Sequence, residues 1–137
     1  MIDTTTKGGI GELVVAIDLL KKGWTVFFPI VDNTGCDLIA MKDNVIKTIQ
    51  VKFHTKPSSG SSGSISIDMR KRTGRKNIIS CKCNVVAVPL QKKELGIDTV
   101  VYIPYNGEIT LSIAFKDAKN NQTSKRRWYK DFLDVPI

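Results

Sequence analysis

Gly35-Cys36-Asp37-Leu38-Ile39-Ala40-Met41-Lys42-Asp43-Asn44-Val45-Ile46-Lys47-Thr48-Ile49-Gln50-Val51-Lys52-Phe53-His54 is the stretch around which the chain is organised. Two short apolar runs flank the polar Lys42-Asp43-Asn44, a pattern that predicts a β-hairpin. In the second run Val45, Lys47, Ile49, Val51 and Phe53 share one face, and Ile46, Thr48, Gln50, Lys52 and His54 share the other. Gln50 and Lys52 therefore point the same way, roughly 6.5–7 Å apart at the strand rise. A four-residue loop pairs Met41 with Ile46 and brings Asp37 opposite Gln50, whereas a one-residue slip would turn Asp37 to the wrong face. A carboxylate, an amide and a lysine converging at one sheet edge suit a hard divalent ion such as Mg²⁺, which prefers oxygen donors and keeps several waters. A lysine beside such an ion can hold a nucleophilic water or stabilise charge on a phosphate.

The bulk composition bounds the setting. A chain of 137 residues, 42% hydrophobic and 25% charged, is expected to form one globular domain (residues 1–137) with a core of its own. No apolar stretch reaches the roughly 18 residues of a membrane span, and no secretory leader is visible, so an intracellular, cytoplasmic protein without a membrane partner is expected. Three cysteines, with Cys81 and Cys83 too close in sequence for an easy bridge, suggest reduced thiols. Cys81-Lys82-Cys83 resembles half of a zinc site, but one further cysteine and the single His54 make a poor second half. The net charge of +8 favours a polyanionic partner, most often nucleic acid. No amphipathic basic helix accompanies it, which argues against an anionic membrane.

Taken in order, Thr4-Thr5-Thr6 offers N-cap hydroxyls to a helix running to Lys21-Lys22, with Gly23 closing it. Ile10, Leu13, Val14, Ile17 and Leu20 recur at helical spacing, and Glu12 lies on the flank shared with Ala16 and Leu19. Gly8, Gly9 and Gly11 in the first turns are costly unless another backbone or a ligand approaches closely. Gly8-x-x-Gly11 lacks the Gly-Lys-Ser/Thr of a phosphate loop. Residues 24–28 form a strand ended by Pro29, and the serine- and glycine-rich residues 55–64 form a mobile loop. Residues 65–67, 84–89, 99–103 and 108–115 have strand character, and residues 128–133 resemble a short closing helix. Arg70-Lys71-Arg72-Thr73-Gly74-Arg75-Lys76 packs five positive charges into seven residues, either a solvated turn or a segment that orders against phosphate. Lys125-Arg126-Arg127 ends a second polar, basic loop. The order of elements gives an α/β domain with a mixed β-sheet flanked by helices.

Glu12 in the first helix, Gly35-Cys36-Asp37-Leu38, and Gln50-Val51-Lys52 together resemble the PD-(D/E)xK nuclease superfamily, in which a helix with Glu, a strand with Asp and a strand with (Asp/Glu)-x-Lys follow in that order. The Asp37-to-Gln50 spacing is normal for that superfamily. Cys36 replaces the proline before the aspartate, a common change, and Gln50 replaces the second acid, which removes one formal charge from the metal site. A bacterial group I intron homing endonuclease family carries Gln-x-Lys and is active. Its tail is also similar: Tyr102-Ile103-Pro104, Ile109-Thr110-Leu111 and Asn120-Asn121-Gln122 before a closing aromatic helix. Archaeal Holliday junction resolvases are more distantly similar, usually with Glu-Val-Lys.

The resemblance implies a restriction-endonuclease-like core and Mg²⁺-dependent hydrolysis of DNA phosphodiesters, with Mn²⁺ as a possible substitute. Asp37 would be the main metal ligand, completed by the Gln50 side-chain oxygen and the Val51 carbonyl. Glu12 would bind a second ion or one of its waters, and Lys52 would position the attacking water. Lys56, Arg70, Lys71, Arg72, Arg75, Lys76, Lys125, Arg126 and Arg127 would contact phosphates. A sequence-specific homing or restriction enzyme implies a homodimer or homotetramer on double-stranded DNA, since cutting two strands needs two centres. A structure-selective resolvase would take branched DNA instead, and a non-catalytic DNA-binding module would follow if Gln50 marks lost catalysis.

Overall fold

Asp3 opens the helix by accepting the Thr6 N–H at 2.7 Å, so the cap is this aspartate and not the threonine hydroxyls that follow it. Its carboxylate satisfies an orphan amide and sits at the positive end of the helix dipole, an advantage a neutral hydroxyl lacks. Helix α1 then runs Thr4–Lys21, and Gly23 at φ 87° turns the chain into the first strand. The computed structural model describes residues 2–31, 35–53, 56–57, 63–78, 81–116 and 127–137.

The buried face of α1 is Gly11, Val15, Ala16 and Leu19. The apolar repeat through Ile10, Leu13, Ile17 and Leu20 instead faces solvent, each 38–60% exposed, with Val14 half-buried at its border. A helix apolar on two adjacent flanks can bury either, and here the flank with the small residues lets it approach the sheet. A Cβ added to Gly11 would stand 3.0 Å from Phe53 Cβ, so this glycine is where the helix and the end of the site strand meet. Gly8 and Gly9 have no such neighbour.

The strands are β1 (Thr25–Phe27), β2 (Leu38–Lys42), β3 (Val45–Val51), β4 (Lys56–Pro57), β5 (Ser64–Asp68), β6 (Lys71–Thr73), β7 (Lys76–Ile78), β8 (Val85–Lys92), β9 (Ile97–Pro104) and β10 (Thr110–Ala114). A five-stranded sheet is ordered β1-β2-β3-β8-β9, with β3 and β8 parallel and the other neighbours antiparallel, which makes it mixed. In the hairpin, Met41 pairs with Ile46 as the pattern predicts, and the ladder continues one pair further to Lys42 and Val45. Only Asp43 and Asn44, at φ 50° and 67°, remain in the turn. That is the doubly left-handed two-residue turn whose twist matches antiparallel strands, and Asp and Asn tolerate it best after glycine.

Strands β8 and β9 are buried on both faces of the sheet. On one, Val15 and Leu19 of α1 pack with Leu38, Ala40, Ile49, Val51, Val85, Ala87 and Tyr102. On the other, Val86, Val88, Val101 and Ile103 pack with Ile65, Ile67, Leu111 and Ile113. This double burial explains why β8 and β9 read as continuous apolar runs.

The second face is covered by a small antiparallel sheet, β10-β5-β4. The period-2 alternation of Ile65/Ile67 and Leu111/Ile113 makes each strand apolar on one side only, so the pair closes that face without a helix. The expected closing helix is a single 3₁₀ turn, Tyr129–Phe132, too short for α-helical bonding to propagate. The basic run at 70–76 folds as the β6–β7 hairpin around Gly74 and Arg75. Of the expected mobile loop, residues 56–57 pair with β5, and 58–62 lie outside the described residues.

One polar cluster fastens α1 across the sheet. The Tyr102 hydroxyl donates to Asp18 at 2.6 Å, Asp18 pairs with Lys22 at 3.0 Å, and Lys22 also donates to the Leu133 carbonyl. Burial, with the Asp18 carboxylate beside it, pushes the Tyr102 phenol well above its ordinary range, so it acts as a fixed donor at any working pH.

Candidate active site

The hairpin register fixes which side chains meet. The named ladder between β2 and β3 ends at Leu38–Ile49, and there strand β2 departs from it. The Asp37 N–H donates to the Ile49 carbonyl at 2.9 Å, and the Asp37 carboxylate accepts the Val51 N–H at 2.8 Å. In the continued ladder that N–H would belong to Cys36. The carboxylate takes the place of a backbone acceptor, which holds it beside Gln50 and fixes its orientation. Gly35, at φ 77°, makes the turn that delivers residues 36–37 to this position.

Strand β3 ends in the same place. The Lys52 N–H donates to the Ala87 carbonyl at 2.9 Å, which anchors the residue after the strand to β8. Gln50 and Lys52 are half-buried, on the face opposite Ile49 and Val51. Glu12 is half-buried one residue after Gly11, on the helical turn that packs on Phe53. Asp37, Gln50, Val51 and Lys52 are thus brought together at one sheet end, with Glu12 carried on the turn against it. His54 lies outside the described residues.

Among the described residues no three His, Cys, Asp or Glu side chains are gathered so as to hold a metal by themselves. An ion at Asp37 would therefore complete its shell with the Gln50 amide oxygen, the Val51 carbonyl, Glu12 and water. An all-oxygen donor set fits Mg²⁺ and disfavours soft ions.

The basic residues divide. Arg70 forks onto Asp68, with Nε and Nη2 each 3.0 Å from a carboxylate oxygen, and this guanidinium holds the Asp68 carboxyl down to about 2. Arg70 is therefore spoken for unless phosphate displaces Asp68. Lys71, Arg75 and Lys76 are exposed on the β6–β7 hairpin. Arg127 is half-buried, its carbonyl accepting the Ala114 N–H at 2.7 Å. The side chains of Lys56 and Arg72, and all of Lys125 and Arg126, lie outside the described residues.

A pair that the sequence spacing discounted also borders the site. Cys81 and Cys83 place their sulfurs 2.7 Å apart. The segment is tied to the hairpin by the Lys82 N–H, which donates to the Gly35 carbonyl at 2.9 Å. The hydrogen bond between the thiols lowers the pKa of Cys81 and, together with burial, raises that of Cys83. Cys81 is expected to alkylate with iodoacetamide at a lower pH than an ordinary thiol. Replacing Cys83 by alanine should move that midpoint upward; an unmoved midpoint would show that Cys83 is not the cause.

The profile of the PD-(D/E)XK endonuclease family matches residues 2–134. Among solved structures, the bacterial homing endonuclease I-Ssp6803I shares the fold at a TM-score of 0.64 and 22% identity, over 96% of this chain and 88% of that one. No curated protein matches the chain.

Proposed function

Because the chain belongs to the PD-(D/E)XK endonuclease family, we propose that it is a Mg²⁺-dependent DNA endonuclease, sequence-specific and of the homing or restriction kind. The observation that carries this reading is the Asp37 carboxylate held by the Val51 N–H, next to Gln50 and Lys52 at one sheet end. Asp37 and Gln50 would hold the ion with the Val51 carbonyl, and Glu12 would contribute a second carboxylate from α1. When bound, Mg²⁺ supplies Lewis-acid polarisation of the scissile phosphate. Lys52 orients the attacking water in line with the leaving oxygen and donates to the phosphate as its charge grows. The Val51 N–H holds Asp37 so that the site needs little rearrangement when substrate arrives. Lys71, Arg75 and Lys76, on an exposed hairpin, would contact phosphates and position the duplex without reading its sequence.

The reading is tested by incubating the protein with a duplex library of random sites in Mg²⁺ and sequencing the cut ends. A single enriched site is expected. Cutting confined to branched substrates would favour the resolvase alternative, and no cutting of any substrate would leave a binding module.

A duplex cut requires two centres, and we assign the second to another copy of this chain. Ile10, Leu13, Ile17 and Leu20 form an exposed apolar stripe on α1, which a second copy would cover. The double variant Leu13→Glu, Ile17→Glu should fold normally, since both residues are more than half exposed. It should run as a monomer in light scattering, whereas an unchanged oligomer would move the interface elsewhere.

A further inference from the structure

Cys81 and Cys83 have no part in the chemistry above, yet they abut it. Their sulfurs are 2.7 Å apart, and a disulfide closes at about 2.05 Å. Cys81 is partly buried, with its edge open to solvent, while Cys83 is 8% exposed and packed in the core cluster with Val86 and Tyr105. Through Lys82 and Gly35 the same segment is tied to the turn that delivers Asp37. A small oxidant can therefore reach one sulfur, its resolving partner is already in contact, and the segment carrying both is tied to the turn before a candidate ligand.

We propose that Cys81 and Cys83 are a peroxide-sensitive dithiol whose closure to a disulfide disturbs the turn that delivers Asp37 and switches off the adjacent site. The Cys81 sulfur attacks a hydroperoxide, the O–O bond breaks, and an alcohol (water, for hydrogen peroxide) leaves, giving a sulfenic acid. The Cys83 sulfur then attacks that sulfur, the S–O bond breaks, and water leaves with the thiol proton. Two thiols lose two electrons in all, and one peroxide is reduced. Closure draws residues 81 and 83 together, strains the hydrogen bond from the Lys82 N–H to the Gly35 carbonyl between them, and loosens the turn that places Asp37. The loss of cleavage rests on the nuclease reading; the disulfide and the loosening do not.

The test treats the reduced full chain with hydrogen peroxide, blocks remaining thiols with N-ethylmaleimide and maps the peptides by mass. Cys81 and Cys83 should lose labelling together, their peptide roughly 2 Da lighter for two lost hydrogens, with reversal by dithiothreitol. Cys36 should stay labelled, and Cys81→Ser should form no bridge. Hydrogen exchange at the Lys82 amide should speed up in the oxidised wild type, and cleavage should be lost in parallel and return on reduction. Persistent labelling of both thiols, or a bridge to Cys36, overturns the dithiol. A bridge with unchanged Lys82 exchange overturns the switch. Faster exchange in a protein that never cuts DNA would uphold the conformational switch and locate the failure in the nuclease reading.

Discussion

Asp37→Asn is expected to lower the cleavage rate by roughly 10²–10³-fold, the usual effect of removing one preorganised charge-stabilising group, while the protein melts as the wild type does. The asparagine oxygen still accepts the Val51 N–H, so the end of β3 stays in place and only the charge is lost. Asp37→Ala removes the acceptor as well. It leaves a half-buried Val51 amide unpaired and should cost about 1–3 kcal/mol of stability besides the activity. Single-turnover cleavage and urea unfolding of both variants separate the two roles. Equal stability of the two variants would show that the carboxylate does not hold the strand, and full activity of Asp37→Asn would remove it from the site.

Ile49→Ala is expected to destabilise the fold by about 2–5 kcal/mol, the range for truncating a fully buried aliphatic side chain in a core that collapses only partly. Ile49 is 0% exposed, pairs with Leu38 on one side and Val85 on the other, and belongs to the cluster that receives α1. It lies next to Gln50 but points to the opposite face, so the cavity opens beneath the helix and away from the Gln50 and Lys52 side chains. Urea unfolding should show the loss, with cleavage by the remaining folded fraction close to normal. A change below about 0.5 kcal/mol, typical of an exposed position, would contradict this packing.

The hairpin was legible because every rule agreed on it. The alternation in β3, the polar turn and the buried Leu38 and Ile49 all require the Met41–Ile46 register, and a slip would bury Gln50 or expose Ile49. The double burial of β8 and β9 was equally plain from their unbroken apolar runs. The helix was legible as a helix but not in its facing. Its apolar repeat predicts one stripe, and the sheet selected the adjacent one because Gly11 admits Phe53. The cap was missed for a related reason, since three threonines drew attention past Asp3.

At the site, residue types and order sufficed to nominate Asp37, Gln50 and Lys52 as one group. They could not reveal that the Asp37 carboxylate replaces a backbone acceptor for Val51, which depends on β2 leaving the ladder at Leu38. The Arg70–Asp68 fork and the contact between Cys81 and Cys83 were also out of reach. The first depends on the small sheet ending beside the basic hairpin, and the second on residue 82 being tied to residue 35 far away in sequence.

The most direct test compares wild type with Lys52→Ala on a supercoiled plasmid library and on a synthetic four-way junction, each with Mg²⁺ or EDTA. The expected result is discrete linear products from the plasmids in Mg²⁺ only, an intact junction, and products lost in Lys52→Ala although DNA is still bound. Cleavage that persists in EDTA, or that Lys52→Ala carries out at the wild-type rate, would contradict the assignment of this sheet end as the catalytic centre.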